Sequence, residues 1–343
     1  MANILTEWKA HRAPVFRKRK DPILRMGTCP ENANGIFNPA TVQNGVLHIY
    51  CREENMQRES VISCYTSRDG INVDRKVGVI LKPGEEGSPD SKGCEDPRAT
   101  FDADTGLVYI EYVGHNGETQ VNMLAVSERP YEFKRFRKLG PMYNDGKPDK
   151  DGSPLGKTSY QVKGKNPHRM YANIRRIMEG DLWGMRVSIG NSIEGPYDDF
   201  EQYDPRAPWE GVRTGESQLI HVEGVGYIGM HHGAVKPNGH WVYSSGLDMW
   251  DESARMIASA VTPQIVPTTE YEKNGTEGKE IALCTGLEKV VIGGKEHIRA
   301  YYGAGDHYVM VAEAPLKDCI NHLLSPECKV GKPRKNVFTF GTN

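Results

Sequence analysis

The segment GLVYIEYVG, residues 106–114, begins with a turn glycine and continues as a short apolar run rich in β-branched and aromatic residues. Such a run favours a β-strand. A second run, QVNMLAVSER at 120–129, follows after a polar connection. Amphipathic helical periodicity is scarce between residues 40 and 312, so the segment predicts a pair of strands within an all-β fold.

The same strand pair recurs five times, with starts roughly 55 to 70 residues apart. This spacing suits four-stranded sheets with long connections, so the sequence predicts a five-bladed β-propeller. Apolar residues at helical spacing in APLKDCINHLL (314–324) predict a short C-terminal helix. The other four pairs are GVLHIYCRE (45–53) with SVISCYTSRDG, RMYANIRRI (169–177) with LWGMRVSIG, GVGYIGMHHG (224–233) with HWVYSSGLD, and EHIRAYYGAGD (296–306) with HYVMVAEAP.

The length of 343 residues would accommodate two ordinary domains. All-β propellers of this length are nevertheless single domains. We therefore expect one catalytic domain over residues 1–343, with an N-terminal arm over about 1–30 and a C-terminal extension over about 314–343.

Composition excludes several classes of function. The net charge is −2, and the one dense basic run, at 17–20, is expected to be a solvated arm rather than a nucleic-acid site. No stretch of 18 uncharged apolar residues and no signal-like segment occurs, so we expect no membrane partner. Seven cysteines without Cys-x-x-Cys or zinc-ligand spacing favour a reducing, cytoplasmic location and no metal.

Residues 224–229, GVGYIG, match the dinucleotide-binding pattern GxGxxG. That pattern binds pyrophosphate only where it joins a strand to the N-terminus of a helix. The continuation MHHGAVKPNG cannot begin a helix, so we reject a nucleotide site here.

The stretch GCEDPR, residues 93–98, places two acids, a proline and a base just before a strand. One interpretation is structural, since Asp-Pro favours turns and Arg98 could pair with Glu95. The other is a site that handles protons, formed by Glu95 and Asp96. The stretch by itself leaves both interpretations open.

Comparable points of other repeats also carry polar groups, and a propeller brings such points together around a central funnel. Hydroxyl-rich ligands need directional donors and acceptors of this kind, so the set predicts a sugar site. Its members are Asn38, Arg52, His231, His232 and Asp306.

With these motifs in place, the chain resembles glycoside hydrolase family 130, the β-mannoside phosphorylases and their relatives, which are five-bladed propellers. The matching pieces follow the family's order across nearly the whole chain, and together they are specific. They are IFNPA (36–40), YCRE (50–53), TSRDG (66–70), CEDPRAT (94–100), GYIGMHHGAV (226–235), VYSSGLDMWD (242–251), IVPTTEYEKNG (265–275) and RAYYGAGDHYVMVAEAPL (299–316).

The resemblance implies roles for individual residues. The family's general acid falls on Asp96, with Glu95 beside it as a substrate contact, while Asn38 and Asp306 take the places of residues that hold the mannosyl ring. The phosphate-binding positions fall on Arg52, Arg213, His232 and Tyr243. His231 is expected to contact the sugar as well.

The central repeat departs from the family pattern. Its sequence, KTSYQVKGKNPHRMYANIRR (157–176), lacks the usual aspartate and Phe-Pro. Counting the usual separations places the two basic phosphate ligands on Lys157 and Arg175. Arg169 and Arg176 remain alternatives.

An inverting glycosidase needs two carboxyl groups, one as acid and one to activate water. Phosphate is already an anion and can attack without a general base when cations hold it. The resemblance therefore implies reversible, inverting transfer of mannose between a β-linked, most simply β-1,2-linked, oligosaccharide and phosphate through α-mannose 1-phosphate, with synthesis as one cellular direction. It also implies that Asp96 acts through a sugar hydroxyl.

The expected partners are a β-linked manno-oligosaccharide and phosphate or a sugar phosphate, without further cofactor. Because relatives in some eukaryotic parasites use GDP-mannose, that donor stays open, as does homo-oligomer formation. Two rival functions remain. A hydrolase would need a second carboxylate in the funnel, for which Glu216 is the candidate, and a noncatalytic sugar-binding propeller would use Asp96 only as a hydrogen-bond partner.

Overall fold

The computed structural model describes residues 15–142, 161–163, 171–179, 182–190, 192–195, 197–203, 207–211, 213–252, 255–331 and 334–335. Strands dominate these residues, and the helices are short. The expected all-β class is confirmed.

Within the described residues, five successive groups of antiparallel strands follow the five repeats of the sequence. The first group is β3 (Gly35–Asn44), β4 (Val46–Glu54), β5 (Ser60–Ser67) and β6 (Arg75–Leu81); the second is β7 (Gly93–Asp102), β8 (Leu107–His115), β9 (Gln120–Ser127) and β10 (Phe136–Pro141). The third is β11 (Gln161–Lys163), β12 (Tyr171–Glu179), β13 (Leu182–Gly190) and β14 (Tyr197–Tyr203). The fourth is β15 (Arg213–Glu216), β16 (Ile220–Val222), β17 (Gly226–Val235), β18 (Val242–Trp250) and β19 (Met256–Ser259).

The fifth group joins the two ends of the fold. It contains β20 (Glu280–Ile292), β21 (Lys295–Ala304) and β22 (Tyr308–Pro315), and the N-terminal strands β1 (Arg17–Lys18) and β2 (Leu24–Arg25) both pair with β22. The expectation that the basic run at 17–20 is a solvated arm is only partly met. Lys18 Nζ lies 2.6 Å from the buried Glu272 carboxylate. A further short strand, β23 (Arg334–Lys335), pairs with β14.

In the part of the chain that the structure describes, two short α-helices accompany the strands: α1 (Glu270–Lys273) and α2 (Leu316–Leu323). Helix α2 lies where the apolar spacing predicted it and buries Leu316, Cys319 and Leu323. Single 3₁₀ turns lie at Pro30–Asn32, Pro208–Glu210, Pro237–Gly239, Thr276–Gly278 and Pro326–Cys328. Over the described residues, every helix is too short or too polar to cross a bilayer. The seven cysteines all lie in this part as free thiols.

The first strands of different groups are joined by hydrogen bonds that do not belong to any sheet. Gln218, just after β15, donates to the Thr41 carbonyl at 2.7 Å and accepts from the Thr41 amide at 3.0 Å. Thr285 on β20 donates to the Pro39 carbonyl at 2.7 Å. These contacts connect the first, fourth and fifth groups around one centre.

Arg98 connects the second group to the same centre. It is 1% exposed, and its Nε and one terminal nitrogen each donate to the Glu216 carbonyl at 3.2 Å. The other terminal nitrogen donates to the Pro97 carbonyl at 3.0 Å. Burial lowers the pKa of Arg98 to about 10, so the guanidinium stays charged at neutral pH. The interpretation that Arg98 pairs with Glu95 is wrong, because the side chain extends into the interior to reach β15.

Replacing Arg98 by Gln should lower the free energy of unfolding by about 3 kcal/mol, because the buried Glu216 and Pro97 carbonyls lose charged donors. Urea unfolding of both proteins measures the difference. Arg68→Gln is a matched control, since that side chain is 81% exposed and should leave the midpoint unchanged. Equal midpoints for all three proteins would contradict a structural role for Arg98.

Candidate active site

A pocket of about 280 Å³ lies where the first, second, fourth and fifth groups meet. Its lining brings together most of the residues predicted from the sequence. Those residues are Asn38, Arg52, Glu95, Asp96, His232, Tyr243 and Asp306.

Two equivalent β-bulges aim Asn38 and Asp96 into the pocket. Pairing of β3 with β4 skips between Phe37 and Ala40, and pairing of β7 with β8 skips between Glu95 and Arg98. Asn38 and Asp96 lie at these points with φ of 48° and 46°. Asn and Asp tolerate this left-handed conformation better than other side chains, and such strain is concentrated at functional sites.

The two bulges meet, since Asn38 Nδ2 donates to Asp96 Oδ1 at 2.8 Å. Gly303 on β21 makes room for this contact, because a side chain there would collide with the Asn38 amide. The local sequences, Asn38-Pro39 and Asp96-Pro97, are the signal that could have revealed the shared geometry. The two interpretations of GCEDPR are therefore compatible, because the irregular backbone of the bulge is what presents the Asp96 carboxyl group to the pocket.

Arg52 holds the carboxylates on this side of the pocket. Its guanidinium donates to Glu95 at 2.7 Å, to Glu54 at 3.2 Å and to Asp96 at 3.2 Å. Burial opposes the charge of Arg52, but the three carboxylates outweigh it and raise the pKa above its ordinary value. Arg52 therefore lies in the pocket as expected, with most of its donors engaged by protein acids.

Asp306 projects into the same pocket from the turn after β21, with φ of 59°. Its carboxylate makes no hydrogen bond to any residue in the described ranges. Burial raises the pKa of Asp306 to about 6, although Arg52 and Lys279 partly oppose the shift. Lys279, which the motifs did not indicate, lines the pocket near Asp306.

The fourth group supplies His232 and Tyr243 to the pocket lining, and Arg213 lies beside Tyr243 without lining the pocket itself. In the sheet, Arg213 on β15 and Tyr243 on β18 flank Ala234 on β17. Because alanine is small, the Arg213 guanidinium reaches across it and donates to the Tyr243 hydroxyl at 3.0 Å. His232 lies two residues before Ala234 on the same face, with its ring 6.3 Å from that of Tyr243.

His231 lies on the opposite face of β17, which corrects its expected role as a sugar contact. Adjacent residues of a strand point to opposite faces, so only one of the two histidines can line the pocket. His231 Nδ1 lies 2.7 Å from Asp248 Oδ2, and its Nε2 lies 3.2 Å from Glu210 Oε1. Burial opposes protonation, but Asp248 and Glu210 raise the pKa of His231 well above its ordinary value.

Glu216 belongs to this buried cluster and not to the pocket. It is 1% exposed, and its carboxylate accepts from the Ser217 amide at 3.0 Å. Burial and the neighbouring Asp248 raise the pKa of Glu216 well above its ordinary value. The expectation that Glu216 faces the funnel as the base of a hydrolase is therefore wrong.

The central repeat contributes less. Lys157 and Arg169 lie outside the described residues. Arg175 and Arg176 lie on β12, but the described part includes only their backbone. Their assignment to phosphate stays a prediction.

Comparisons with known proteins identify the family to which this pocket and fold belong. A family model described as beta-1,4-mannooligosaccharide phosphorylase, that of glycoside hydrolase family 130, matches residues 7–324. The chain belongs to this family, which confirms the resemblance drawn from its motifs.

Individual relatives are distant. A beta-1,2-mannobiose phosphorylase from Listeria innocua serovar 6a is 23% identical over 278 residues, which cover 79% of this chain and 70% of the relative. The structure of a Listeria innocua beta-1,2-mannobiose phosphorylase bound to beta-1,2-mannobiose has a TM-score of 0.71 at 16% identity, over 90% of this chain and 99% of that chain.

A further solved structure comes from work describing glycoside hydrolases of family 130 that target beta-1,2 mannosidic linkages in Candida mannan. It has a TM-score of 0.71 at 20% identity, over 92% of this chain and 96% of that chain. At such identities, the structural likeness establishes a common fold.

Asp306→Asn should stabilise the protein at neutral pH. The folded-state pKa of Asp306, about 6, lies above its ordinary value of 3.8, so ionisation of this carboxyl destabilises the folded protein. That destabilisation grows as pH rises between these values and is complete above the higher one. The variant should therefore gain about 1–3 kcal/mol at about pH 7.5 relative to about pH 4.

Urea unfolding of both proteins at the two pH values measures this difference. Comparing across pH cancels the pH-independent effect of the amide. A stability difference that is the same at both values would show that the Asp306 carboxyl titrates normally.

Proposed function

We propose that this protein is an inverting β-mannoside phosphorylase. It transfers mannose reversibly between β-linked manno-oligosaccharides and phosphate, with α-mannose 1-phosphate as product in one direction and donor in the other. The observation that carries the proposal is one pocket in which Asp96 and its neighbouring carboxylates share the lining with His232 and Tyr243. Arg213, next to that lining, donates to the Tyr243 hydroxyl.

Asp96 is the general acid. Asn38 and Arg52 both donate to its Oδ1, which fixes the orientation of the carboxyl group. Asn38 and Asp306 also bind the mannosyl ring, and the proton passes through a sugar hydroxyl to the departing oxygen. This relay needs a fixed ring, because a proton moves only along short, aligned hydrogen bonds.

Phosphate binds to the residues of the fourth group. Arg213 supplies charge-assisted hydrogen bonds. The Tyr243 hydroxyl and the His232 ring supply further hydrogen-bond donors. Arg52 adds positive potential, although its geometry favours a role in orienting the acids. Arg175 and Lys157 would complete the phosphate site from the third group.

The distribution of carboxylates favours phosphate over water as nucleophile. An inverting hydrolase needs its acid and its base on opposite faces of the sugar, about 6.5–9.5 Å apart. Three of the pocket carboxylates, Glu54, Glu95 and Asp96, lie within 3.2 Å of Arg52. Asp306 also interacts electrostatically with Arg52. The acids thus gather on one arginine instead of dividing between two faces.

The β-1,2 linkage is the first to test. A beta-1,2-mannobiose phosphorylase is among the relatives, whereas the family model is described by the β-1,4 linkage. Because the reaction is reversible, the same site supports chain synthesis wherever mannose 1-phosphate is abundant. The protein then acts as a mannosyltransferase.

We further infer that the five strand groups are the blades of a single five-bladed propeller and that the chain forms one catalytic domain. The hydrogen bonds that connect β3, β7, β15 and β20 support a common centre, and pairing of β1 and β2 with β22 supports closure by the N-terminus.

The proposal predicts strict phosphate dependence. The purified protein, without added metal or nucleotide, should convert β-1,2-mannobiose to mannose and α-mannose 1-phosphate only when phosphate is present. ³¹P NMR identifies the sugar phosphate, and its one-bond C1–H1 coupling identifies the anomeric configuration. Release of mannose at the same rate with and without phosphate would contradict the proposal and support a hydrolase.

Asp96→Asn should lower turnover by about 10²–10⁴-fold in both directions, because the two directions share one transition state. The matched control is Asp21→Asn, which changes an exposed aspartate far from Asp96 in the sequence and should retain activity. The reverse rate is measured as phosphate release from mannose 1-phosphate and a mannose acceptor. Near-normal activity of the Asp96 variant in either direction would remove this residue from the acid role.

A further inference from the structure

Trp241 lies immediately before β18, two residues from Tyr243, whose side chain lines the pocket. The Arg213 guanidinium lies over the indole, with Cζ 4.0 Å from the ring centroid. Lys236 Nζ lies 5.4 Å from the same centroid. The indole and the Tyr243 ring are 6.2 Å apart, so Arg213 contacts two aromatic residues of one strand end.

We propose that Trp241 is a positioning residue that holds Arg213 in place for the phosphate group of the co-substrate. The inference rests on the proposed phosphorylase function and names a residue that the sequence motifs did not indicate. Trp241 acts through Arg213 and is not itself a phosphate ligand.

The contrast between two arginines carries the argument. Arg52 is surrounded by three carboxylates at hydrogen-bonding distance. Across the described ranges, Arg213 has no carboxylate partner, and its contacts are a hydroxyl and an aromatic ring. A carboxylate would orient the guanidinium but neutralise it, whereas the face of an indole attracts the cation and leaves its charge available. An anion site needs the second arrangement.

Lys236 strengthens this interpretation. It is exposed and shares the Trp241 ring with Arg213, so two like charges lie near one indole. Their mutual repulsion is an unfavourable term that a bound dianion would relieve. Restricting Arg213 in advance also removes part of the side-chain entropy that phosphate binding would otherwise cost.

The test is steady-state kinetics of Trp241→Leu and Trp241→Phe with phosphate and the mannoside varied separately. Loss of the aromatic face should raise the phosphate KM about 5- to 30-fold, with the mannoside KM unchanged. Trp241→Phe retains an aromatic face, so its phosphate KM should stay close to that of the wild type. His240→Ala, an exposed neighbour, is the matched control and should behave as wild type.

A double-mutant cycle with Arg213→Ala separates positioning from general damage. If Trp241 acts through Arg213, the change at Trp241 should add nothing to the phosphate KM once Arg213 is absent. If Trp241→Leu fails to fold, Trp241→Phe and Trp241→His replace it in the same cycle. The rise in phosphate KM should then be larger for the ring that attracts the Arg213 guanidinium less strongly.

The outcomes are distinguishable. A wild-type enzyme that depends on phosphate, combined with an unchanged phosphate KM in the Leu variant, overturns the role of Trp241 and leaves the proposed function intact. Equal increases in both KM values, or full additivity with Arg213→Ala, also overturn it. A wild-type enzyme indifferent to phosphate removes the proposed function and this inference with it.

Discussion

The hydrogen bonds of Arg98 are the constraint on which the site depends. One buried guanidinium donates to the carbonyls of Pro97 and Glu216. Pro97 belongs to the bulge that presents Asp96, and Glu216 ends the short strand that begins with Arg213. The same side chain therefore fixes the acid relative to the cation, although the two belong to different strand groups. A buried positive charge is costly, and here it is compensated by main-chain oxygens.

The electrostatic properties of the site depend on which groups surround each of its three arginines. Arg98 is held by carbonyls at the wall of the pocket, and Arg52 is held by carboxylates and organises the acids. Arg213 is held by a hydroxyl and an indole, so its charge stays available. Three arginines with three kinds of partner thus have three different roles. In a reaction that joins an anion to a sugar beside several acids, only a cation of the third kind can attract the anion.

Much of this arrangement is encoded locally. The strand pairs follow from short apolar runs, and Asn38-Pro39 and Asp96-Pro97 mark equivalent points in successive groups. Other features are not local. The partner of Arg98 lies 118 residues away, and no pattern near either residue specifies it.

Strand geometry explains the two misplaced residues. His231 and His232 are adjacent, so composition alone could not distinguish the pocket face from the buried face, which depends on the register of β17 with β15 and β18. Glu216 is paired with His231 in that register and is buried with it. Trp241 resembles any half-buried aromatic residue until the position of Arg213 is known.

The most direct test of phosphorolysis follows oxygen atoms. β-1,2-Mannobiose is treated with phosphate labelled with ¹⁸O at every oxygen, and the mannose 1-phosphate formed is analysed by mass spectrometry and ³¹P NMR. If phosphate attacks C1, the α-anomer keeps all of the label, including the bridging oxygen. A mannose 1-phosphate whose bridging oxygen is unlabelled, or cleavage of mannobiose that yields only free mannose and no labelled mannose 1-phosphate, would contradict the account.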